Sequence, residues 1–81
     1  RNLARVYQAQ KKYALSAKEY RRVTELRPGD IDAYVNLAVA YSHLNRYEEA
    51  IEQLERAKTK TDDPGAIKRL NGYIEKLEQA R

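Results

Sequence analysis

The chain has 81 residues, of which 42% are hydrophobic and 35% are charged, and its net charge is +4. This composition excludes a disordered tail, which lacks the apolar residues needed for a core. No apolar run reaches the roughly 18 residues of a membrane-spanning helix. Because the chain has no Cys and one His, a disulfide framework, a zinc finger, a thiol nucleophile and a multi-histidine metal site are also excluded.

The charge is distributed unevenly along the chain. Residues 1–30 carry eight basic and three acidic residues, residues 31–64 carry four and seven, and residues 65–81 carry four and two. A basic first third favours an acidic peptide or a phosphate backbone as partner, whereas a solvated helical surface is the simpler alternative.

Turn signals divide the chain into three segments. Pro28-Gly29 and Pro64-Gly65 are each accompanied by an aspartate, Asp30 and Asp63, that can cap the helix that follows. Pro64 suits the first turn of a helix because the N–H that proline lacks has no partner there. The predicted segments are 1–27, 30–62 and 63–81.

Apolar residues recur at intervals of three and four within each segment, which predicts about five amphipathic helices. The first two segments each contain one break in this pattern, and Asn45 suits the left-handed residue of a short turn at the second break. Since no alternating run of strand length occurs, the predicted fold class is all-α. The apolar stripes are Leu3, Ala4 and Tyr7; Tyr13, Ala17, Tyr20, Val23 and Leu26; Tyr34, Leu37, Ala38, Tyr41 and Leu44; Tyr47, Ala50, Ile51, Leu54 and Ala57; and Ile67, Leu70, Ile74 and Leu77.

The first two segments repeat one another with a period of 34 residues. Asn2-Leu3-Ala4-x-x-Tyr7 aligns with Asn36-Leu37-Ala38-x-x-Tyr41, and Tyr13 aligns with Tyr47. Six of the thirty pairs formed by 1–30 and 35–64 are identical, and all but one of them lie in or beside the apolar pattern. A period of this length indicates a repeat architecture.

The period and the pattern resemble the tetratricopeptide repeat, whose signature spaces aromatic, small and proline positions over 34 residues. The second unit carries this signature as Tyr34-x₂-Leu37-Ala38-x₂-Tyr41 and Ala50-x₃-Leu54. The resemblance implies a right-handed superhelical stack of antiparallel helix pairs, a TPR-like solenoid. It divides the single domain 1–81 into an N-terminally truncated repeat 1–30, a full repeat 31–64 and a capping helix 65–81.

Besides the leading aromatic that the truncated first unit lacks, three features depart from the family pattern. Ser16 stands where an alanine is expected, and Lys11 stands in the turn between helices where glycine is usual. The last helix is about one residue short of register. We expect this helix to cover the open end of the stack with a polar outer face.

Similar repeats present the first helix of each unit to a concave groove that binds peptides. The positions of the last helix depend on its shifted register. Val35 and Val39 either form an apolar peptide pocket or pack against the neighbouring unit. The groove residues that the resemblance implies are Arg1, Asn2, Arg5, Gln8, Asp32, Val35, Asn36, Val39, Ser42, His43, Arg69 and Tyr73.

Some family members hold the C-terminal carboxylate of a peptide with two Asn and several basic residues. Asn36 matches one of these Asn positions, Arg1 takes the place of a Lys, and Arg5 replaces the other Asn. Ala66 and Leu70 stand at the basic positions of the last helix, unless its shifted register brings Arg69 there instead, so this clamp is at best half present. A groove that accepts an extended or helical peptide is therefore the preferred interpretation, with Arg1 and Arg5 as its strongest polar groups.

No catalytic residues are predicted. Ser42 and His43 are adjacent and point roughly 100° apart on a helix, and Asp32 lies about 16 Å from His43 along the axis. Nucleophilic catalysis needs its groups within hydrogen-bonding reach. We therefore expect neither an enzyme nor a cofactor or metal.

The leading hypothesis is a protein–protein interaction scaffold that binds a protein or peptide partner. A partner that contacts the basic residues 1–30 is expected to be acidic. The alternative is a self-assembly module, or part of a longer repeat array, in which Leu3, Val6 and Tyr7 pack against another copy or further repeats. The 34-residue period speaks against nucleic-acid binding, and no membrane partner is expected. The compartment stays open, with the cytoplasm as our expectation.

Overall fold

A computed structural model describes residues 2–81, and the residues it describes form five α-helices, which confirms the predicted all-α class. Each helix packs mainly against the helices that precede and follow it in the chain. We call α1 and α2 the first unit and α3 and α4 the second unit. The helices are α1 (Asn2–Ala9), α2 (Tyr13–Leu26), α3 (Ile31–His43), α4 (Tyr47–Lys58) and α5 (Pro64–Ala80).

An aspartate caps the helix that begins at each Pro-Gly pair, as predicted: Asp30 follows Pro28-Gly29 and caps α3, and Asp63 precedes Pro64-Gly65 and caps α5. The Asp30 carboxylate accepts a hydrogen bond from the Ala33 N–H at 3.3 Å, and the Asp63 carboxylate accepts one from the Gly65 N–H at 3.1 Å. These bonds satisfy N–H groups that have no partner inside the helix. Pro64 occupies the first turn of α5.

The turns inside the two units have the same backbone conformation. Lys11 and Asn45, which are separated by one full repeat period, both have φ of 62°, so the left-handed turn predicted at Asn45 is confirmed. The Lys12 N–H donates to the Tyr7 carbonyl at 2.8 Å, and the Arg46 N–H donates to the Tyr41 carbonyl at 2.9 Å. The repeat seen in the sequence is therefore a repeat of backbone hydrogen bonds as well.

Small residues lie where the paired helices approach each other. Ala4, Ala38 and Ala50 are fully or almost fully buried, and Leu37 and Leu54 fill the space around them. Methyl side chains let two helix backbones come close, while the leucines supply the apolar area that stabilises the stack.

Ser16, which replaces the expected alanine, is buried and hydrogen-bonded. Its hydroxyl donates to the Ala4 carbonyl of α1 at 3.2 Å. A buried hydroxyl without a partner would destabilise the core, whereas this one links the two helices of the first unit.

Helix α5 follows the second unit with a shortened spacing. The interval between the capping residues Asp30 and Asp63 is shorter by a single position than the interval between the turn residues Lys11 and Asn45. Ala66, Leu70 and Ile74 form its buried stripe. The predicted loss of register in α5 is thus confirmed. No helix between residues 2 and 81 combines the length and the apolarity that crossing a membrane requires.

Candidate peptide-binding groove

One face of α3 forms the centre of the candidate site. Asp32, Val35, Asn36, Val39 and Ser42 recur every three or four residues, so they lie along one side of the helix. Two cavities open along this side, one toward α1 and one toward α5. We call the surface that contains both cavities the groove.

The cavity between α1 and α3 is polar and has a volume of about 410 Å³. We call it the polar cavity. It combines a guanidinium, two carboxylates, an amide and a phenol, so it offers both signs of charge to a ligand. Its lining residues are Arg5, Tyr20, Val23, Asp30, Asp32, Ala33 and Asn36.

Tyr20 connects the polar cavity to the core. Burial raises the pKa of its phenol above the ordinary value, and the nearby Arg5 guanidinium opposes part of this shift. The neutral hydroxyl donates to Oε1 of Gln8 at 3.1 Å, which fixes the Gln8 side chain against α2. Gln8 is therefore held beside the polar cavity and does not line it.

The cavity between α3 and α5 is apolar and smaller, with a volume of about 130 Å³. We call it the apolar cavity. Val35 and Val39 both line it, and Val35 also packs against the core. Val35 therefore contributes both to the wall of this cavity and to core packing, while Val39 contributes to the wall. The full lining is Val35, Ala38, Val39, Ser42, Leu54, Tyr73, Lys76 and Leu77.

His43 lies at the end of α3 and lines neither cavity. Its ring stacks on Tyr13 of α2, with ring centroids 4.1 Å apart and an angle of 11° between the planes. The Ser42 hydroxyl donates to the Val39 carbonyl at 2.7 Å. The hydroxyl and the imidazole thus have separate partners.

The remaining predicted groove residues are distributed as follows. Arg5, Asp32 and Asn36 come together at the polar cavity, and Tyr73 lines the apolar one. Arg69 is exposed on α5 and lines neither cavity. Arg1 and the side chain of Asn2 lie outside the described part of the chain.

The polar cavity differs from a carboxylate clamp in its charges. Arg5 and Asn36 share it with Asp30 and Asp32, which repel a carboxylate. Of the α5 positions that the resemblance offers for basic residues, Ala66 and Leu70 are buried in the core. The shortened spacing aligns Arg69 with Asn36, and Arg69 is exposed and lines neither cavity. Helix α5 therefore contributes no residue to the lining of the polar cavity.

Sequence reasoning missed several lining residues, most notably Lys76 and Tyr20. Aligning the capping residue Asp63 with Asp30 would have found Lys76, because this alignment places Lys76 at the position of the predicted groove residue His43. The apolar stripe predicts Tyr20 in the core, and the structure shows that it also lines the polar cavity.

A family model described as tetratricopeptide repeat matches residues 1–67, which include α1 to α4 and the beginning of α5. The chain belongs to the tetratricopeptide repeat family. Comparison with the curated proteins gave no match. Tetratricopeptide repeats are typically non-catalytic scaffolds for protein–protein interaction, and this chain has their helix pairs at their period.

Proposed function

We propose that the groove binds an extended or helical segment of a partner protein and that the chain performs no chemistry on it. One observation carries this proposal: two cavities open along α3, one lined also by α1 and the other also by α5, although these three helices are not consecutive in the chain. Such a surface suits a segment longer than a single side chain.

The groups of the polar cavity support binding of a peptide main chain. The Asn36 amide can both donate and accept, so it matches the alternating N–H and C=O groups of a peptide. Arg5 supplies a cation and Asp32 an anion, so charged side chains of the partner would fix its direction. The separate partners of Ser42 and His43 support binding without nucleophilic chemistry.

Selection from a random peptide display library against the immobilised chain tests the proposal. Peptides that bind the wild type are then measured against Arg5→Glu and Asn36→Ala. We expect about tenfold weaker binding for Arg5→Glu, because a contact to a positive group becomes a repulsion. The melting temperature should stay unchanged, since Arg5 is exposed.

Arg22→Glu is the matched control because Arg22 is an exposed arginine on α2 that lines neither cavity. It should leave the affinity unchanged. Equal losses for Arg5→Glu and Arg22→Glu would indicate general charge attraction and would contradict binding in the groove.

A second function, self-association, is favoured by a separate observation. Leu3 and Val6 on α1 are each 47% exposed, whereas their counterparts Leu37 and Ala40 on α3 are 0% exposed. The face that α2 covers in the second unit is open in the first. A second copy that covers it would remove this apolar area from water.

Light scattering over a wide concentration range tests self-association. A dimer that Val6→Glu dissociates and Ala9→Glu leaves intact would support it, because both changes lie on exposed positions of α1 and only Val6 is apolar and large. A monomer at every concentration would reject it.

A further inference from the structure

The apolar cavity has the size of one large hydrophobic side chain. Leu54 and Ala38 are almost fully buried beneath it, and Val35, Val39 and Leu77 form apolar walls. Its volume of about 130 Å³ is close to that of a cavity of about 150 Å³ known to bind benzene. Tyr73, which is 39% exposed, extends the wall toward solvent. A branched aliphatic or an aromatic side chain would therefore fill the space.

Lys76 gives this cavity a positive rim. It is the one charged residue in the lining. The residues three and four positions away on α5 are Gly72, Tyr73, Gln79 and Ala80, none of which is acidic, and no ion pair of Lys76 occurs between residues 2 and 81. The lysine stem can lie along the apolar wall while its ammonium group stays in water, ready for an anion from a ligand.

The charges elsewhere in the groove make the α5 side the better place for a carboxylate. Asp30 and Asp32 line the polar cavity, so an acidic residue bound there meets two like charges. On α5, Arg69, Tyr73 and Lys76 follow each other at intervals of four and three, so the two cations lie on the same side of the helix.

We propose that the apolar cavity takes one large hydrophobic side chain of the partner segment and that Lys76 pairs with a carboxylate beside it. This inference rests on the proposed peptide binding and adds the chemistry of the ligand, an acidic segment with a leucine, isoleucine or phenylalanine anchor. The hydrophobic side chain supplies most of the affinity, and the ion pair selects the sign of its neighbours.

NMR titration of the isotope-labelled chain with short capped peptides tests this directly. The probes are N-acetyl-Gly-Glu-Leu-Glu-Gly-amide, the same peptide with Leu replaced by Ala, and the same peptide with both Glu replaced by Lys. We expect the largest amide shifts at Val35, Val39 and Lys76. The Ala peptide should bind about tenfold more weakly, because burial of apolar area provides the affinity.

Two lysine variants examine the ion pair. Lys76→Gln should weaken binding of the Glu-Leu-Glu peptide about threefold at low salt and remove the preference over the Lys-Leu-Lys peptide. Lys68→Gln is the matched control, because Lys68 lies on the same helix and borders a different surface with Asp62, Ile67 and Glu75. It should bind the peptides as the wild type does.

The outcomes separate this inference from the proposed function. Shifts confined to Arg5, Asp32 and Asn36, or equal binding of the Leu and Ala peptides, would overturn the anchor while peptide binding in the groove stands. Absence of shifts with all three peptides would also overturn the anchor, and the display selection would still decide the proposed function. Amide shifts at Leu26 that depend on protein concentration in the absence of peptide would overturn the partner segment as occupant and indicate a second copy. Leu26 is 79% exposed and follows Glu25, so a second copy presents the same pair of an acidic and a hydrophobic side chain.

Discussion

The first and the second unit have the same backbone conformation at their turns and differ in the helices that surround them. Their turns have the same φ and the same hydrogen bonds, yet Leu37 is fully buried in the core while its counterpart Leu3 is half-exposed. Ser16 and Tyr20 in the first unit occupy the positions of Ala50 and Leu54 in the second. The comparison shows that the local residue pattern determines the formation of a helix pair, whereas the neighbouring helices determine how deeply its apolar side chains are buried.

The largest expected difference between the units comes from paired leucine truncations. Leu37→Ala should lower the free energy of unfolding by roughly 2–5 kcal/mol, because it leaves a cavity in a fully buried site. Leu3→Ala should cost under about 1 kcal/mol, because half of that side chain is already in water. Urea unfolding of both variants measures the two losses. Equal losses would mean that α1 is covered in solution.

The buried hydroxyl of the first unit gives a smaller effect. Ser16→Ala removes a hydrogen bond worth about 1 kcal/mol and gains about 0.5 kcal/mol from the higher helix propensity of alanine. A net loss of about 0.5 kcal/mol is expected. Ser42→Ala is the control, since its hydroxyl bonds within its own helix, and it should be neutral or slightly stabilising. Thermal unfolding of both variants is the measurement, and a stabilising Ser16→Ala would contradict the bond to α1.

The two left-handed turns should respond differently to glycine. Lys11→Gly relieves the steric cost of a side chain at φ of 62°, which exceeds the extra entropy of glycine and leaves a gain of about 0.5 kcal/mol. Asn45→Gly should change the free energy of unfolding little, because asparagine tolerates this conformation. Chemical unfolding measures both variants, and an equal gain at both turns would show that the identity of the side chain in this left-handed conformation is irrelevant.

The smallest expected difference is a dependence on alkaline pH that belongs to Tyr20. Its pKa in the folded chain is raised above the ordinary value of 10.0, first by burial, with Arg5 opposing the shift. The folded state therefore holds this proton more tightly than the unfolded state. The corresponding stability is fully present below pH 10.0 and is lost as the pH rises through the folded pKa.

Tyr20→Leu, which copies the residue of the second unit, should remove this part of the pH dependence. Unfolding free energies of the wild type and the variant, measured on both sides of pH 10, provide the comparison. Equal slopes above pH 10 would show that the Tyr20 phenol titrates alike in the folded and unfolded chain. Arg5→Gln should raise the pKa of Tyr20 further, which an NMR titration of its ring resonances, assigned with the Tyr20→Leu variant, reports.

Much of the fold follows from local signals in the sequence. Asp30, Asp63 and Asn45 act at helix ends and turns, where the backbone conformation depends on one or two side chains. The contact of Ser16 with the Ala4 carbonyl and the stacking of His43 on Tyr13 join residues from different helices. Their geometry depends on how the helices pack, so residue spacing alone does not predict it.

In the candidate site, too, the features set within one helix are predictable and those that depend on helix packing are not. The spacing on α3 predicts that Asp32, Asn36 and Val39 share one side, and the structure places them along the two cavities. The depth of the apolar cavity depends on Leu54 of α4, and its charge depends on Lys76 of α5. Predicting either contribution requires the positions of α4 and α5 relative to α3. The one-residue shift of α5 prevents the repeat period from giving its position.

The packing of each helix mainly against its neighbours in sequence has a consequence for folding kinetics. Contacts of this kind close short loops, so the chain should fold rapidly for its size. Helix α3 is held by α2 and α4, whereas α1 and α5 each have one principal neighbour. In hydrogen exchange the amides of α3 should therefore be the slowest to open, with protection decreasing toward both ends of the stack.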